Sequence, residues 1–252
     1  MTPLLEVVDL HKSFGPVSAL RGANLSLDAG EVLALVGDNG AGKSTLIKHI
    51  AGVYRPDSGE IKLCGAAVTV YTPAEARRLG VETVYQDLAL ADDLSVGANV
   101  FLGREPVRRW FGILPAIDNR TIRQETNALL ARIETRIPST ARTVSRLSGG
   151  QRQAVAIARA LYWKSRVIIL DEPTAALAAM EREHVIQLAR RLAKQGVGVI
   201  YIGHNLIEIL EVADRIAVMY RGRIVYVTPA GATTQHELIK YMTGFSETVT
   251  NG

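Results

Sequence analysis

The fold is decided by residues 37 to 45, where the chain has the sequence Gly37-Asp38-Asn39-Gly40-Ala41-Gly42-Lys43-Ser44-Thr45. The spacing G-x-x-x-x-G-K-S is that of a loop that wraps phosphate. Its glycines let backbone N–H groups turn toward one anion, and Lys43 adds a positive charge between the β- and γ-phosphates. An apolar run, Val32 to Val36, predicts a buried strand before the loop, and a helix is expected from Lys43 to about Ala51. The stretch therefore predicts a nucleotide site in which Ser44 places its hydroxyl on Mg²⁺.

Strands and helices alternate outward from this loop. Further strands are predicted at Leu4 to Leu10, Ala23 to Leu27, Glu60 to Leu63, Val81 to Tyr85, Val167 to Leu170 and Val197 to Ile202, with a hairpin of Ile216 to Tyr220 and Ile224 to Val227. Such alternation predicts an α/β fold with a mostly parallel sheet and an antiparallel β part near the N-terminus. Residues 89–163 have helical spacing and predict an inserted helical subdomain. The expected ATP-binding core comprises residues 1–88 and 164–252.

Two carboxylates, Asp171 and Glu172, follow the apolar run from Val167 to Leu170. Ligands of open α/β sheets bind at the carboxyl ends of the strands, so we expect this strand beside the phosphate-loop strand. Asp171 then reaches Mg²⁺, and Glu172 polarises the attacking water. The alternative is a strand that simply stops at solvated acids.

Two further polar residues follow predicted parallel strands at the same end of the sheet. Gln86 ends one strand and His204 follows another. An amide there can touch Mg²⁺ or water, and an imidazole can contact the γ-phosphate. The alternatives are an exposed amide and a histidine that caps the helix beginning near Leu206.

A second glycine motif precedes a predicted helix from Arg152 to Trp163. Its residues are Leu147, Ser148, Gly149, Gly150 and Gln151. Ser148 is a favourable N-cap, and two glycines expose N–H groups at the positive helix end, which makes a second anion site. Because the first loop already surrounds its phosphate, we expect this motif to meet the γ-phosphate held by another copy. The alternative is a merely capped helix.

The overall composition argues against several classes of protein. The net charge is +4, with 29 basic and 25 acidic residues scattered along the chain, so nothing indicates a nucleic-acid partner. One cysteine excludes a disulfide within the chain and a cysteine metal cluster. No cationic leader and no apolar run of about 18 residues is present, so we expect neither a signal peptide nor a spanning helix.

Over essentially its whole length the chain resembles the ATP-binding cassette (ABC) transporter ATPases. The motif at Ser148 resembles the signature sequence of that family, Gln86 the Q-loop residue, His204 the switch histidine, and Phe14 the aromatic that stacks on adenine. For Phe14 the alternative is a half-buried aromatic at a strand end. The resemblance implies a catalytic set of Lys43, Gln86, Glu172 and His204, and Mg²⁺ ligands Ser44, Gln86 and Asp171.

The resemblance also implies the partners. Two ATP molecules would lie in a head-to-tail homodimer, each between one phosphate loop and the partner's signature motif. Transmembrane permease subunits would receive the motion, and a periplasmic or extracellular binding protein would select the solute. The expected location is peripheral, on the cytoplasmic face of the inner membrane. A loop is expected from Gly103 to Pro115, and its Arg104, Arg108, Arg109 and Trp110 are either a permease contact or a solvated loop.

The finer resemblance is to the monosaccharide-uptake branch, on residues 94–105, 172–177 and 204–206. One departure is Ala178, where the family commonly has a dimer-contact aspartate within Ser-Ala-Leu-Asp; here residues 175–178 are Ala175, Ala176, Leu177 and Ala178. Transporter ATPases for amino acids or lipids, and soluble ABC ATPases that do not transport, remain the alternatives.

Overall fold

The structure is a computed structural model that describes residues 2–69, 72–110, 114–175 and 177–244. The strands in this part of the chain are β1 (Leu5–Phe14), β2 (Val17–Leu27), β3 (Val32–Gly37), β4 (Ser58–Leu63), β5 (Ala66–Val68), β6 (Val81–Val84), β7 (Val107–Trp110), β8 (Leu114–Ile117), β9 (Val167–Asp171), β10 (Gly198–Ile202), β11 (Arg215–Tyr220) and β12 (Arg223–Pro229). The helices are α1 (Lys43–Ile50), α2 (Pro73–Arg78), α3 (Val96–Phe101), α4 (Asn119–Arg132), α5 (Gly149–Tyr162), α6 (Ala179–Lys194), α7 (Leu206–Val212) and α8 (Gln235–Thr243). Short 3₁₀ turns lie at Val144–Arg146 and Ala230–Ala232.

The central sheet has six strands in the order β12-β11-β3-β10-β9-β6. The five strands from β11 to β6 are mutually parallel, and β12 is antiparallel to β11. Strands β3, β9 and β10 are continuous apolar runs because both faces of the sheet are covered. This architecture confirms the predicted α/β fold with its mostly parallel sheet.

The expected neighbour relation between β9 and β3 is wrong, because β10 lies between them. Ile202 of β10 pairs with Leu35 on one side and with Asp171 on the other. An equally apolar strand can occupy the centre, and sequence periodicity does not rank such strands. The carboxyl ends of all three strands still meet at one edge, so the loop after β3 and the acids after β9 remain close.

Alternate residues of the central strands face two different cores. Leu33 and Leu35 pack with α1 and the four-stranded antiparallel sheet β2-β1-β4-β5, while Ala34 and Val36 pack with the helices of the opposite face. Helix α1 is therefore held between two sheets. The predicted N-terminal antiparallel part is confirmed.

The inserted region is built from α3, α4 and α5, with one difference from the expected loop at residues 103–115. Val107 pairs with Ile117 in the antiparallel hairpin β7-β8. Val107 is 60% exposed and Ile117 54% exposed, so this pair of apolar residues gives no buried-face periodicity that would have indicated the hairpin in the sequence. The side chains of Arg109 and Trp110 lie outside the described residues. The boundaries at residues 88 and 164 stay a prediction, since one buried cluster continues from α5 into the central sheet.

Asn99 explains part of the stretch from residue 94 to 105. Its side chain is fully buried; Oδ1 accepts from the Ala91 N–H at 2.8 Å, and Nδ2 donates to the carbonyls of Ala91 and Ser95 at 3.0 and 3.1 Å. Ser95 caps α3 by accepting from the N–H of Ala98. The amide thus ties the entry loop of the helical region to the first turn of α3.

Candidate functional site

The glycine-rich loop connects β3 to α1 as predicted. Gly42 precedes α1 with φ of 110°, and a Cβ there would lie 2.8 Å from the Ala19 carbonyl oxygen. A Cβ on Gly37 would lie 2.3 Å from the carbonyl oxygen of Met219. Both positions therefore need glycine, because neighbouring backbone closes around the loop. The N-cap Gly42 makes no side-chain hydrogen bond to the first turn of α1, and Lys43, Ser44 and Thr45 of that turn line the cavity beside the loop.

Lys43 is folded back over this loop. Its Nζ donates to the carbonyl oxygens of Gly37 at 2.7 Å and Asp38 at 3.1 Å. An ammonium group has three N–H donors, so these two contacts orient the group and leave capacity for an anionic ligand. Burial lowers the pKa of Lys43, and the negative charges of Glu172, Asp38 and Asp171 oppose that shift. A phosphate bound in the loop would supply a negative charge next to the buried ammonium group of Lys43 and so favour its charged form.

The two acids reach the same cavity from the end of β9. The cavity has a volume of about 520 Å³, and its lining includes the loop from Asn39 to Thr45 together with Asp171 and Glu172. Burial raises the pKa of Asp171, the charge of Glu172 adds to that rise, and Lys43 opposes it. A cation bound beside Asp171 would counter this rise, and the hydroxyl of Ser44 and the carboxylate of Asp171 are hard oxygen ligands of the kind Mg²⁺ prefers. The donor set thus fits Mg²⁺.

Glu172 has an unusual backbone conformation. Its φ is +49°, in the left-handed region, and its N–H donates to the carbonyl oxygen of Ile202 at 3.0 Å. A non-glycine residue held there costs on the order of 1–3 kcal/mol, so surrounding contacts must hold it. The exposed His204 follows β10, and its Nδ1 lies 3.7 Å from Oε1 of Glu172. The structure therefore brings these two predicted residues together.

Gln86 and Phe14 lie farther from the cavity. Gln86 is exposed after β6, and β9 and β10 separate β6 from β3. Phe14 is 42% exposed and packs edge-on against Tyr54, with 5.2 Å between the ring centroids. Within the part of the chain that the structure describes, neither Gln86, Phe14 nor His204 lines the 520 Å³ cavity. Phe14 pairs with Val17, which does line it, so the aromatic ring stands at its margin.

Several lining residues carry no signal in the sequence. They are Val17, Ser18, Ala19 and Arg21 of β2, and Arg221 and Gly222 of the turn between β11 and β12. The N–H of Gly222 donates to the carbonyl of Ala41 at 2.8 Å, which ties this turn to the loop. These residues are distant in sequence, and only the pairing of β11 with β3 brings the turn there.

The second glycine motif begins α5 and lines a separate cavity. Ser148 is the N-cap, and its side chain and that of Gln151 bond reciprocally to the N–H groups of Gln151 and Ser148. The cavity here has a volume of about 370 Å³ and is lined by Ser148, Gly150, Gln151 and Glu181 among others. Hydrogen bonds donated by the Ser148 hydroxyl and the N–H of Ala178 lower the pKa of Glu181, so a carboxylate already accepts hydrogen bonds at this helix end. The predicted separation of the two glycine motifs is thus present in one protomer.

Ala178 is the N-cap of α6, and its N–H donates to Glu181 Oε2 at 3.3 Å, while Ala176 lies outside the described residues. The guanidinium of Arg104 lies 3.6 Å from the ring centroid of Trp163, so this arginine packs on the helical region. Arg108 is exposed.

Among residues 2–69, 72–110, 114–175 and 177–244, no helix has the length and apolarity to cross a membrane.

Comparison with known proteins gives a consistent result. The sequence profile described as ABC transporter matches residues 20–175. The chain is 48% identical to the xylose/arabinose import ATP-binding protein of Sulfolobus acidocaldarius over 98% of this chain and 96% of that protein. It is 41% identical to the fructose import ATP-binding protein of Rhizobium meliloti, covering 97% and 95% of the two chains. It is 44% identical to a ribose import ATP-binding protein of Rubrobacter xylanophilus, of which it spans about half, 48%.

Solved structures resemble the whole fold. The ADP conformation of an ATP-binding cassette of an ABC transporter has a TM-score of 0.81 at 25% identity, with 96% of each chain covered. A dimeric post-hydrolysis state of another ATP-binding cassette, bound to ADP and Pi, has a TM-score of 0.73 at 26% identity, covering 90% of this chain and 98% of that one.

Proposed function

The chain belongs to the ABC transporter family, and from that premise we propose that it is the ATP-hydrolysing subunit of a monosaccharide importer. The observation that carries the proposal is the cavity in which the Lys43 loop, the start of α1 and the carboxylates of Asp171 and Glu172 meet. Cation, helix N-terminus and acids in one cavity are the parts that hydrolysis of a nucleoside triphosphate requires.

The loop is proposed to hold the phosphates of ATP. N–H groups of residues 37–45 and the uncapped start of α1 surround the anion, and Lys43 places its charge between the β- and γ-phosphates. Ser44, Asp171 and Gln86 would hold Mg²⁺, which would neutralise charge on the phosphates. Because Gln86 lies outside the cavity lining, its contact requires closure of the loop that follows β6.

Hydrolysis is assigned to Glu172 and His204. We assign to the Glu172 carboxylate the role of accepting a proton from the attacking water, or of orienting that water. His204, 3.7 Å away, is proposed to contact the γ-phosphate and to keep the Glu172 carboxylate in place. Phe14, at the margin of the cavity with Tyr54 behind it, is proposed to stack on the adenine.

A second copy of the chain is proposed to complete each site. The cavity lined by Ser148, Gly150 and Gln151 is separate from the one lined by the phosphate loop of the same protomer, which supports assigning the motif from Ser148 to Gln151 to ATP held by another copy. The dimeric cassette bound to ADP and Pi supports a homodimer. The family commonly has an aspartate at the position of Ala178. Alanine has no carboxylate, so the proposed dimer lacks any contact that this carboxylate would make.

We infer the cargo and the partner proteins from relatives that act in sugar import. Proteins that act in import of xylose or arabinose and of fructose, similar over nearly their whole length, support a monosaccharide as cargo. The proposed partners are transmembrane permease subunits and, indirectly, a solute-binding protein outside the membrane. The chain would sit peripherally on the cytoplasmic face, with the β7-β8 hairpin region as a proposed permease contact.

The test is purification of the tagged chain from membranes with its permease, followed by ATP turnover in vesicles. We expect xylose, arabinose, ribose or fructose, with the binding protein, to raise turnover. Stimulation by an amino acid or a lipid instead would contradict the sugar assignment. An ATPase that copurifies with no membrane protein would contradict the transporter role.

A further inference from the structure

Glu208 lies outside the catalytic set, yet it joins three segments around the site. Its side chain is 12% exposed and sits in the first turn of α7. Oε2 accepts from the Thr174 hydroxyl at 2.7 Å, and Oε1 accepts from the Asn205 amide at 3.0 Å. The Arg182 guanidinium on α6 lies 3.7 Å from Oε1. The carboxylate is thus nearly buried and has partners on both oxygens.

The segments that Glu208 joins carry the two groups assigned to hydrolysis. Thr174 is two residues after Glu172, and Asn205 directly follows His204. Glu172 has the left-handed φ of +49°, a conformation that needs external support. One supporting contact is the hydrogen bond from the Glu172 N–H to the Ile202 carbonyl oxygen. The hydrogen bond from the Thr174 hydroxyl to Glu208 is close enough in sequence to be a second.

We propose that Glu208 is a positioning residue that fixes the Glu172 segment and the His204 segment relative to each other. Glu208 lies four residues after His204 on the same segment, where Asn205 donates to its carboxylate, and that carboxylate accepts from Thr174 on the Glu172 segment. The 3.7 Å separation between Glu172 and His204 therefore depends on it. The inference rests on the proposed function, because it assumes that Glu172 and His204 act on ATP. In the part of the chain that the structure describes, the cavity lined by Glu172, Thr174, Arg182, His204 and Glu208 among others contains no residue of the phosphate loop, so ATP binding should be spared.

The experiment compares Glu208→Ala, Glu208→Gln and the control Glu211→Ala, an exposed glutamate on the same helix. Glu208→Ala is expected to lower kcat by about 10- to 100-fold, as small misplacements at reacting centres do. KM for ATP and the ATP affinity should stay within about twofold, because the Lys43 loop is untouched. Glu208→Gln should restore most of kcat, since its carbonyl can accept from Asn205 while its amide donates to the Thr174 hydroxyl.

A second measurement separates positioning from general damage. In a Glu172→Gln background, Glu208→Ala should lower the single-turnover rate by a much smaller factor than in the wild type, because most of the effect acts through Glu172. If Glu208→Ala does not fold, Thr174→Val removes one of the two bonds and should lower kcat in the same selective way. Either variant with kcat within twofold of Glu211→Ala, or with KM raised as much as kcat falls, overturns the proposal. A wild-type chain without ATP turnover would instead refute the proposed function.

Discussion

Replacing Glu172 with glutamine is expected to lower ATP turnover by about 100- to 10,000-fold, the range that a positioned general base contributes. The amide keeps the size of the side chain but does not accept the proton of water. The Lys43 loop remains intact, so ATP should still bind and hold two chains together. Steady-state phosphate release and size-exclusion chromatography with saturating MgATP measure the two effects.

The matched control for this variant is Glu183→Gln. Glu183 is exposed on α6, where Oε1 accepts from Gln187 at 2.8 Å, away from the cavity. It should keep wild-type turnover. Turnover of Glu172→Gln within about tenfold of wild type would remove Glu172 from its assigned role. A variant that stays monomeric in saturating ATP would count against the two-chain site.

Lys43→Ala is expected to weaken ATP binding by about 10- to 100-fold, since a hydrogen bond to a charged group is worth about 1.5–3 kcal/mol. Its two carbonyl contacts hold the ammonium group in the cavity, and alanine leaves the phosphates facing uncompensated carboxylates. Equilibrium binding of a fluorescent ATP analogue measures the affinity. Unchanged affinity would refute the role of Lys43.

The stability of this variant without nucleotide provides an independent check. Burial lowers the pKa of Lys43, so folding disfavours its charged form relative to the unfolded chain. Removing the charge should therefore leave the melting temperature of the nucleotide-free protein unchanged or raise it. Lys62→Ala, on the antiparallel sheet beside Glu60, serves as the control and should bind ATP normally. A large loss of stability in Lys43→Ala would show that the affinity loss is indirect.

The sequence predicted the edge of the sheet where the glycine-rich loop and the two acids meet, because the signals for both are local. The loop from Gly37 to Ser44 needs glycine where neighbouring backbone lies close, and the spacing of its glycines is visible in the sequence. The run before Asp171 is apolar on both faces, which is also visible in the sequence. The strand order was not predictable in the same way. Runs 32–36 and 197–202 are equally apolar, so periodicity does not indicate that β10 separates β9 from β3.

The site features that the sequence did not predict depend on contacts between segments that are distant in sequence. Arg221 and Gly222 enter the cavity lining only because β11 pairs with β3. Glu208 looks like an ordinary first-turn acid of a helix until Thr174 and Asn205 are seen to donate to it. The assignments of Gln86 and Phe14 stay predictions, since both lie outside the cavity lining of a single protomer.

The central claim is that each working site combines the Lys43 loop of one chain with the Ser148 motif of another. Mixing Lys43→Ala chains with Ser148→Arg chains, each inactive alone, tests it most directly. Half of the randomly formed dimers contain one chain of each kind, and these hold one intact composite site out of two. We expect the mixture to recover about a quarter of wild-type ATP turnover. Turnover no higher than that of the separate variants, with the wild-type dimer fully active, would contradict it.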